Sequence, residues 1–328
     1  MRAVQITELT GPDTALSLVD IPEPGASHPL TPGRGVIVDV EAAGVSFPEL
    51  LQTRGEYQLK PPLPFVPGSE VAGVVRSAPE GADVAPGDRV AAFCMLGGWA
   101  ETVVAPEHFT FKLPAGLDAA QGAGLILNYH TAWFALAMRG RLAEGERVLV
   151  HGAAGGVGTA ALQVAKGLGA RTIAVVSTDE KARIAREAGA DEAVRGDGDW
   201  KEAVKAWSDG GVDVVLDPVG GDRFLDSLRS LREGGRHVVV GFTGGSIPEV
   251  RVNRLLLNNI EVVGAGWGAY AIGKPGAARE MGAEIARLAE AGFVQPIVGA
   301  RFPLADAAEA LRVLDRREAI GKVVLDVT

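Results

Sequence analysis

The sequence predicts an α/β protein of two domains, one a small barrel or sandwich of short strands and the other a doubly wound parallel sheet. Three observations lead there. The chain has 328 residues, more than a single hydrophobic core usually organises. Its first part is rich in Pro, Gly and short apolar runs, and from about residue 118 apolar strands alternate with amphipathic helices. With 47% hydrophobic and 22% charged residues and no low-complexity tract, the chain has the composition of a protein folded throughout.

In the first part, Gly35-Val36-Ile37-Val38-Asp39-Val40 and Glu70-Val71-Ala72-Gly73-Val74-Val75 read as strands, and a further one follows Gly97-Gly98 at 99–105. Pro32-Gly33, Pro67-Gly68 and Pro86-Gly87 mark the turns between such strands. An Ala-rich stretch over 118–142 reads as helical. Strands are then expected at 147–151, 172–176, 192–194, 212–217, 235–241 and 260–265, with helices between most of them, including 159–168 and 179–188. Six strands in βαβ order describe a doubly wound sheet. After Gly264 come helix, strand, helix and a last strand at 322–327, too little for a third domain and expected to return to the first. The expected division is therefore 1–118 with 266–328, and 119–265.

The bulk properties exclude several classes. A net charge of -9 disfavours nucleic acid as the main partner. Neither a leader-like apolar region near Met1 nor a run of about eighteen apolar residues appears, so no membrane span is expected and the reading is cytoplasmic. The lone Cys94 cannot form an internal disulfide, and His28, His108, His130, His151 and His237 are scattered without ligand spacing.

The most informative stretch is Val148-Leu149-Val150-His151-Gly152-Ala153-Ala154-Gly155-Gly156-Val157-Gly158, a glycine cluster between an apolar strand and a helix. A backbone bare of side chains can approach a pyrophosphate there, and the helix start supplies N–H groups and a favourable dipole. Ala154, Gly155, Gly156 and Val157 are the candidate contacts. In an NAD-specific fold an acid stands about twenty residues further on, at the end of the second strand. Here that place holds Ser177, followed by Thr178 and, one helical turn on, Lys181. These three suit the 2′-phosphate of NADPH. Alternatively Ser177 and Thr178 cap the next helix and Lys181 is solvated. Asp179 and Glu180 add negative charge nearby.

The chain as a whole resembles the medium-chain dehydrogenase/reductase superfamily. The resemblance rests on Gly44-Val45-Ser46, Pro67-Gly68-Ser69-Glu70-Val71-Ala72-Gly73, Pro86-Gly87-Asp88-Arg89-Val90, the glycine cluster and Gly321-Lys322-Val323-Val324. It implies a GroES-like β-barrel catalytic domain with a Rossmann domain inserted before its last segment. In the zinc alcohol dehydrogenases of the superfamily, Cys and His stand where this chain has Ser46 and Ser69, and a third ligand would fall near Leu127. Two hydroxyls and a leucine cannot replace soft or imidazole ligands, so no metal is expected. Without that Lewis acid, acceptors already primed for hydride remain: quinones, or alkenes conjugated to a carbonyl.

The zinc-free branch nearest in motifs is that of the quinone oxidoreductases, which implies reduction of a quinone by NADPH. Hydride would come from the cofactor, while solvent or a hydroxyl such as that of Tyr57 supplies the proton. Where this chain has Ser46, quinone oxidoreductases often carry an Asn that lies near the nicotinamide. Ser46 departs from that pattern, reaches less far, and either hydrogen-bonds there or supports a turn, while Tyr57 matches a family tyrosine that faces the active-site cleft or else packs as an aromatic. Asn128 and Thr131 would stand beside the nicotinamide at the start of a helix, or merely cap it. Gly241, Phe242 and Thr243 follow a strand at the end where open sheets bind ligands, and Asn253 and Lys322 match positions that approach the cofactor. Competing readings are an enal, enone or enoyl-thioester reductase and an NADPH-binding protein without turnover. An open apolar edge at 260–264 suggests a homodimer.

Overall fold

A computed structural model describes residues 1–328. Its chain divides into two compact units, Met1–Leu127 with Ala271–Ala286 and Pro296–Thr328, and Asn128–Tyr270 with Arg287–Gln295. The passage between them lies at Leu127/Asn128 rather than at 118/119. Residues 287–295 go with the second unit because Gln163 bonds both the carbonyl and the N–H of Gln295, and Leu288 and Phe293 crowd Gly167.

The first unit contains β1 (Arg2–Ile6), β2 (Leu16–Asp20), β3 (Gly35–Val45), β4 (Glu70–Ser77), β5 (Arg89–Phe93), β6 (Thr102–Pro106) and β7 (Thr110–Lys112). The second holds β8 (Arg147–His151), β9 (Arg171–Val176), β10 (Glu192–Arg195), β11 (Val212–Asp217), β12 (Leu231–Val239) and β13 (Glu261–Gly264), after which β14 (Val298–Pro303) and β15 (Lys322–Asp326) belong to the first again.

In the first unit β1 and β2 form a hairpin, and a seven-stranded sheet runs β14-β15-β3-β4-β5-β7 with β6 also on β3. All pairs in this sheet are antiparallel except β14-β15. β3 is the hub because its eleven residues are long enough to pair with β4, β6 and β15 along different parts of its length. Val36, Val38, Val40, Val71, Val90, Trp99 and Leu325 fill the core behind it. The antiparallel register brings Val323 opposite Val45 and Val324 opposite Gly44, so the chain entering β15 meets the chain leaving β3.

The second unit is a six-stranded parallel sheet in the order β10-β9-β8-β11-β12-β13, the doubly wound arrangement expected. Every residue of β11 is buried, as in a central parallel strand covered on both faces. The Ala-rich stretch is helical, but it is wound with π turns at Ile126–His130 and Phe134–Arg139. Asn128 and Thr131 therefore sit inside a helical run and cap nothing, since no helix start with orphan N–H groups occurs there.

Candidate active site

The second unit carries the features of a dinucleotide site. β8 delivers the chain to Gly152, whose φ of 56° favours glycine, and the helix Gly156–Gly167 starts within the glycine cluster itself. The glycines are needed for close approach: a Cβ on Gly158 would lie 2.2 Å from the Gly152 carbonyl oxygen, and one on Gly156 2.7 Å from the Asn128 amide nitrogen. Ala154 is buried, whereas Gly155, Gly156 and Val157 are half-buried. The helix start leaves N–H groups without intrahelical acceptors at a turn where Gly155, Gly156 and Gly158 carry no side chains.

At the end of β9, Ser177 and Thr178 are exposed and Lys181 is half-buried. Thr178 is the N-cap of the helix Asp179–Glu187, its Oγ1 accepting from the Lys181 N–H at 3.1 Å, so capping is one of its roles. The hydroxyl hydrogen is still available to a phosphate. The charge of Asp179 is met by Arg195 at the end of β10, which donates to Asp179 at 3.0 Å and to Asp197 at 2.6 Å. Sequence reasoning missed Arg195, which reaches Asp179 only because β9 and β10 are neighbours.

Beyond β12, the loop holding Gly241, Phe242 and Thr243 is stitched to the loop after β11. Thr243 donates to the Pro218 carbonyl through N–H at 3.1 Å and Oγ1 at 3.0 Å, and Gly244 N–H reaches the Val219 carbonyl at 2.8 Å. Asp217 anchors the pair of loops, accepting from the N–H groups of Val219 (2.8 Å) and Gly220 (2.9 Å) and facing His237 at 3.2 Å. Burial pushes its carboxyl pKa up, but the His237 hydrogen bond, the two histidine charges and the Gly220 N–H outweigh this and hold it at about 2. The backbone of 241–243 is thus fixed at the C-terminal end of the sheet. Asn253 stands exposed in the first turn of the helix Asn253–Asn258 and takes no part in this stitching.

In the first unit, Ser46, Ser69 and Leu127 each donate a backbone N–H to one of two buried carboxylates. Glu49 accepts from the N–H of Ser46 at 2.9 Å and from the N–H of Ser69 at 2.9 Å, and the Ser69 hydroxyl also donates to it. Glu70 accepts from the Leu127 N–H at 2.8 Å. Lys322 donates to Glu70 and, at 2.6 Å, to the Ser46 hydroxyl. Burial raises the pKa of Glu49, with Glu70 adding to the rise and the Ser69 bond and Lys322 opposing it. No three His, Cys, Asp or Glu side chains gather into a metal-binding group.

Tyr57 is half-buried, and burial followed by the charge of Glu49 raises its pKa, which keeps the phenol protonated. Lys322 is 3% exposed and committed within this unit, so its ammonium acts on Ser46 rather than presenting itself at the surface. The Glu49–Glu70 neighbourhood was not foreseen. Its one signal is the spacing Ser46-Phe47-Pro48-Glu49, the S-x-x-E of a helix start, which turns the Glu49 carboxylate back toward Ser46.

Comparisons with known proteins agree with this architecture. Residues 32–115 match the alcohol dehydrogenase GroES-like domain, and residues 156–287 match the zinc-binding dehydrogenase family. Quinone oxidoreductase-like protein 2 of Rattus norvegicus is 39% identical over 332 residues, covering 99% of this chain and 92% of the relative. A probable oxidoreductase from Mycobacterium abscessus superposes with a TM-score of 0.88 at 44% identity, covering 100% of this chain and 99% of the other. The quinone oxidoreductase of Thermus thermophilus, also solved in complex with NADPH, gives a TM-score of 0.83 at 37% identity with both chains covered 100%. With the fold, the serines at the ligand places and these relatives in agreement, the chain belongs to the quinone oxidoreductase family, in the zinc-independent branch of the medium-chain dehydrogenase/reductase superfamily.

Proposed function

We propose that the protein is an NADPH-dependent reductase that transfers hydride to a quinone without a metal ion. The observation that carries this reading is the replacement of all three ligand places by Ser46, Ser69 and Leu127, tied into a Glu49–Glu70–Lys322 network. Among relatives, quinone oxidoreductases of Thermus thermophilus and Escherichia coli have been solved with NADPH. The second unit fits that cofactor. The cradle at Gly156 and Gly158 has no room for a Cβ, and exposed hydroxyls with a cation stand where an acid would select NAD.

In this reading the N–H groups of Gly155, Gly156 and Val157, with Ala154 keeping its side chain inside, hold the pyrophosphate. Ser177, Thr178 and Lys181 hold the 2′-phosphate. Asn128, Thr131 and the fixed backbone of Gly241, Phe242 and Thr243 orient the nicotinamide, with Asn253 further out. When bound, NADPH would supply a hydride, and a quinone, whose reduced product is aromatic, would accept it without a Lewis acid. Ser46 and the protonated Tyr57 face the acceptor and donate hydrogen bonds to its oxygen. The chain pairs with a second copy through β13, and no helix is long and apolar enough to cross a membrane.

The test is NADPH oxidation by purified protein against a panel of ortho- and para-quinones and short enones, before and after chelation. Quinone turnover unaffected by chelator is expected, with less than one zinc in ten chains by elemental analysis. Turnover of enones alone, or activity lost together with one zinc per chain, would replace this reading.

A further inference from the structure

A lysine at 3% exposure beside a 1%-exposed carboxylate carries a desolvation cost that is offset only by close pairing and further hydrogen bonds. Here the structure makes room for the pair. Gly44 has no Cβ, and one placed there would lie 2.7 Å from Glu70 Cγ and 2.8 Å from Lys322 Cε; one on Gly124 would lie 3.0 Å from Lys322 Cγ. Strand register aims the lysine, because Lys322 is one step beyond the Val323–Val45 pair and so comes level with Ser46. Its ammonium donates to Glu70 and, at 2.6 Å, to Ser46 Oγ. Ser46 is half-buried, while the N–H on its other side is held by Glu49 Oε2 at 2.9 Å. With its lone pair receiving the ammonium hydrogen, the Ser46 hydroxyl has its own O–H left for a ligand oxygen.

We infer that Ser46 is the acid of the reaction and that the buried Lys322, fixed by Glu70, is the positioning residue that makes its hydroxyl a strong donor. This rests on the quinone-reductase reading. Once the acceptor holds two electrons and one hydrogen, its remaining oxygen is an anion. The Ser46 O–H bond breaks as the new O–H bond forms on that oxygen, the Lys322 ammonium stabilises the serine oxygen left behind, and the half-buried Ser46 recovers its proton from solvent after product leaves. One proton is consumed and no protein group changes oxidation state.

The charge relation can be read without turnover by placing a thiol at the serine. In Ser46→Cys, a thiol facing a fixed ammonium titrates below the ordinary value of about 8.5, by about one unit or more. The charged and titratable groups around it are Lys322 from β15, Glu70 from β4, and Glu49 and Tyr57 from the segment after β3; both carboxylates oppose the effect. Cys94, fully buried with its pKa pushed up by burial, reacts slowly enough to serve as background. The pKa is measured from the pH dependence of alkylation of the apo protein. Adding Lys322→Met should return it to the ordinary value or above, and Lys322→Arg should keep it low. Should Lys322→Met fail to fold because Glu70 is stranded, Lys322→Met with Glu70→Leu removes both charges and should give the same return.

In the serine background, Ser46→Ala and Lys322→Met should each lower kcat about tenfold to a hundredfold with the NADPH Kd unchanged by fluorescence titration. The double variant should be no slower than the worse single one. An introduced thiol that titrates at 8.5 or above whether or not Lys322 is present overturns the inference, as does a Lys322→Met protein that loses NADPH affinity but keeps kcat. Wild-type protein inactive on every quinone would instead overturn the quinone reading and leave the thiol result standing.

Discussion

At the scale of single residues, cofactor choice rests on the few side chains beyond β9. A charge-assisted hydrogen bond contributes about 1.5 to 3 kcal/mol, so Lys181→Ala should weaken NADPH about tenfold to a hundredfold and leave NADH nearly unchanged, measured as kcat/KM for the two cofactors. Ser177→Asp should go further and favour NADH by repelling the 2′-phosphate. Thr178 differs because its Oγ1 also caps a helix, so Thr178→Ala should cost about 1 kcal/mol of stability in urea unfolding as well as affinity. Equal losses for both cofactors in Lys181→Ala would reject the assignment. The place of Ser177, Thr178 and Lys181, just after β9 and at the start of the next helix, was legible by counting along one strand and one helix. The partners of Lys322 and Arg195 were not legible, because Lys322 meets Glu70 across 252 residues of sequence, and Arg195 meets Asp179 only through the pairing of two strands. Local spacing carries no information about partners that tertiary structure supplies.

At the scale of elements, the glycine turn is the least tolerant piece. In Gly158→Ala the new methyl would lie 2.2 Å from the Gly152 carbonyl oxygen and 2.6 Å from Ala153 Cα, both backbone atoms that cannot swing aside. Overpacking of this kind costs about 1 to 3 kcal/mol, and because the strain falls on the turn itself, NADPH affinity should drop at least tenfold along with the melting temperature. A variant with unchanged NADPH Kd would show that the turn is not the phosphate site. The end of β8 makes a second element-level prediction. His151 is fully buried, accompanied by Ser227 at 2.7 Å and Trp200, and burial pushes its pKa down to about 4 despite the opposing charge of Asp217. Above the ordinary histidine value of about 6.5 both folded and unfolded chains hold it neutral. As pH falls from there toward 4 only the unfolded chain takes up the proton, so stability is lost over that window, by roughly 2 to 3 kcal/mol at its lower end. Melting temperature against pH should show this fall, and His151→Gln should flatten it; an equally steep fall in the variant would assign it elsewhere. The six strands of the second unit, with β3, β4 and β15 of the first, were readable from apolar runs and glycine punctuation, whereas β1, β2, β5 and β7, only three to five residues each, were not singled out. The π turns over 126–139 were not, since apolar periodicity marks a helix without fixing its hydrogen-bond step.

At the scale of the whole molecule, the question is what covers the open side of the nucleotide-binding sheet. β13 pairs with β12 alone, and Val262 on it is exposed. The segment leading into it exposes Ile247, Val252, Leu256 and Leu257 to between 73% and 75%, whereas large apolar side chains elsewhere in the chain reach 50% at most. Burying one such side chain fully is worth about 1.5 to 3 kcal/mol, and a patch of four on each of two copies offers enough to offset the cost of holding two molecules together. A two-fold axis beside β13 satisfies both requirements, because each copy's open backbone edge meets its equivalent antiparallel and the same patch then faces itself. The protein should therefore run as a dimer by light scattering at micromolar concentration. Leu256→Glu with Leu257→Glu should give a folded monomer, because neither side chain supports the core of its own chain. A monomeric wild type would remove the interface, and a variant that stays dimeric would place it on another surface.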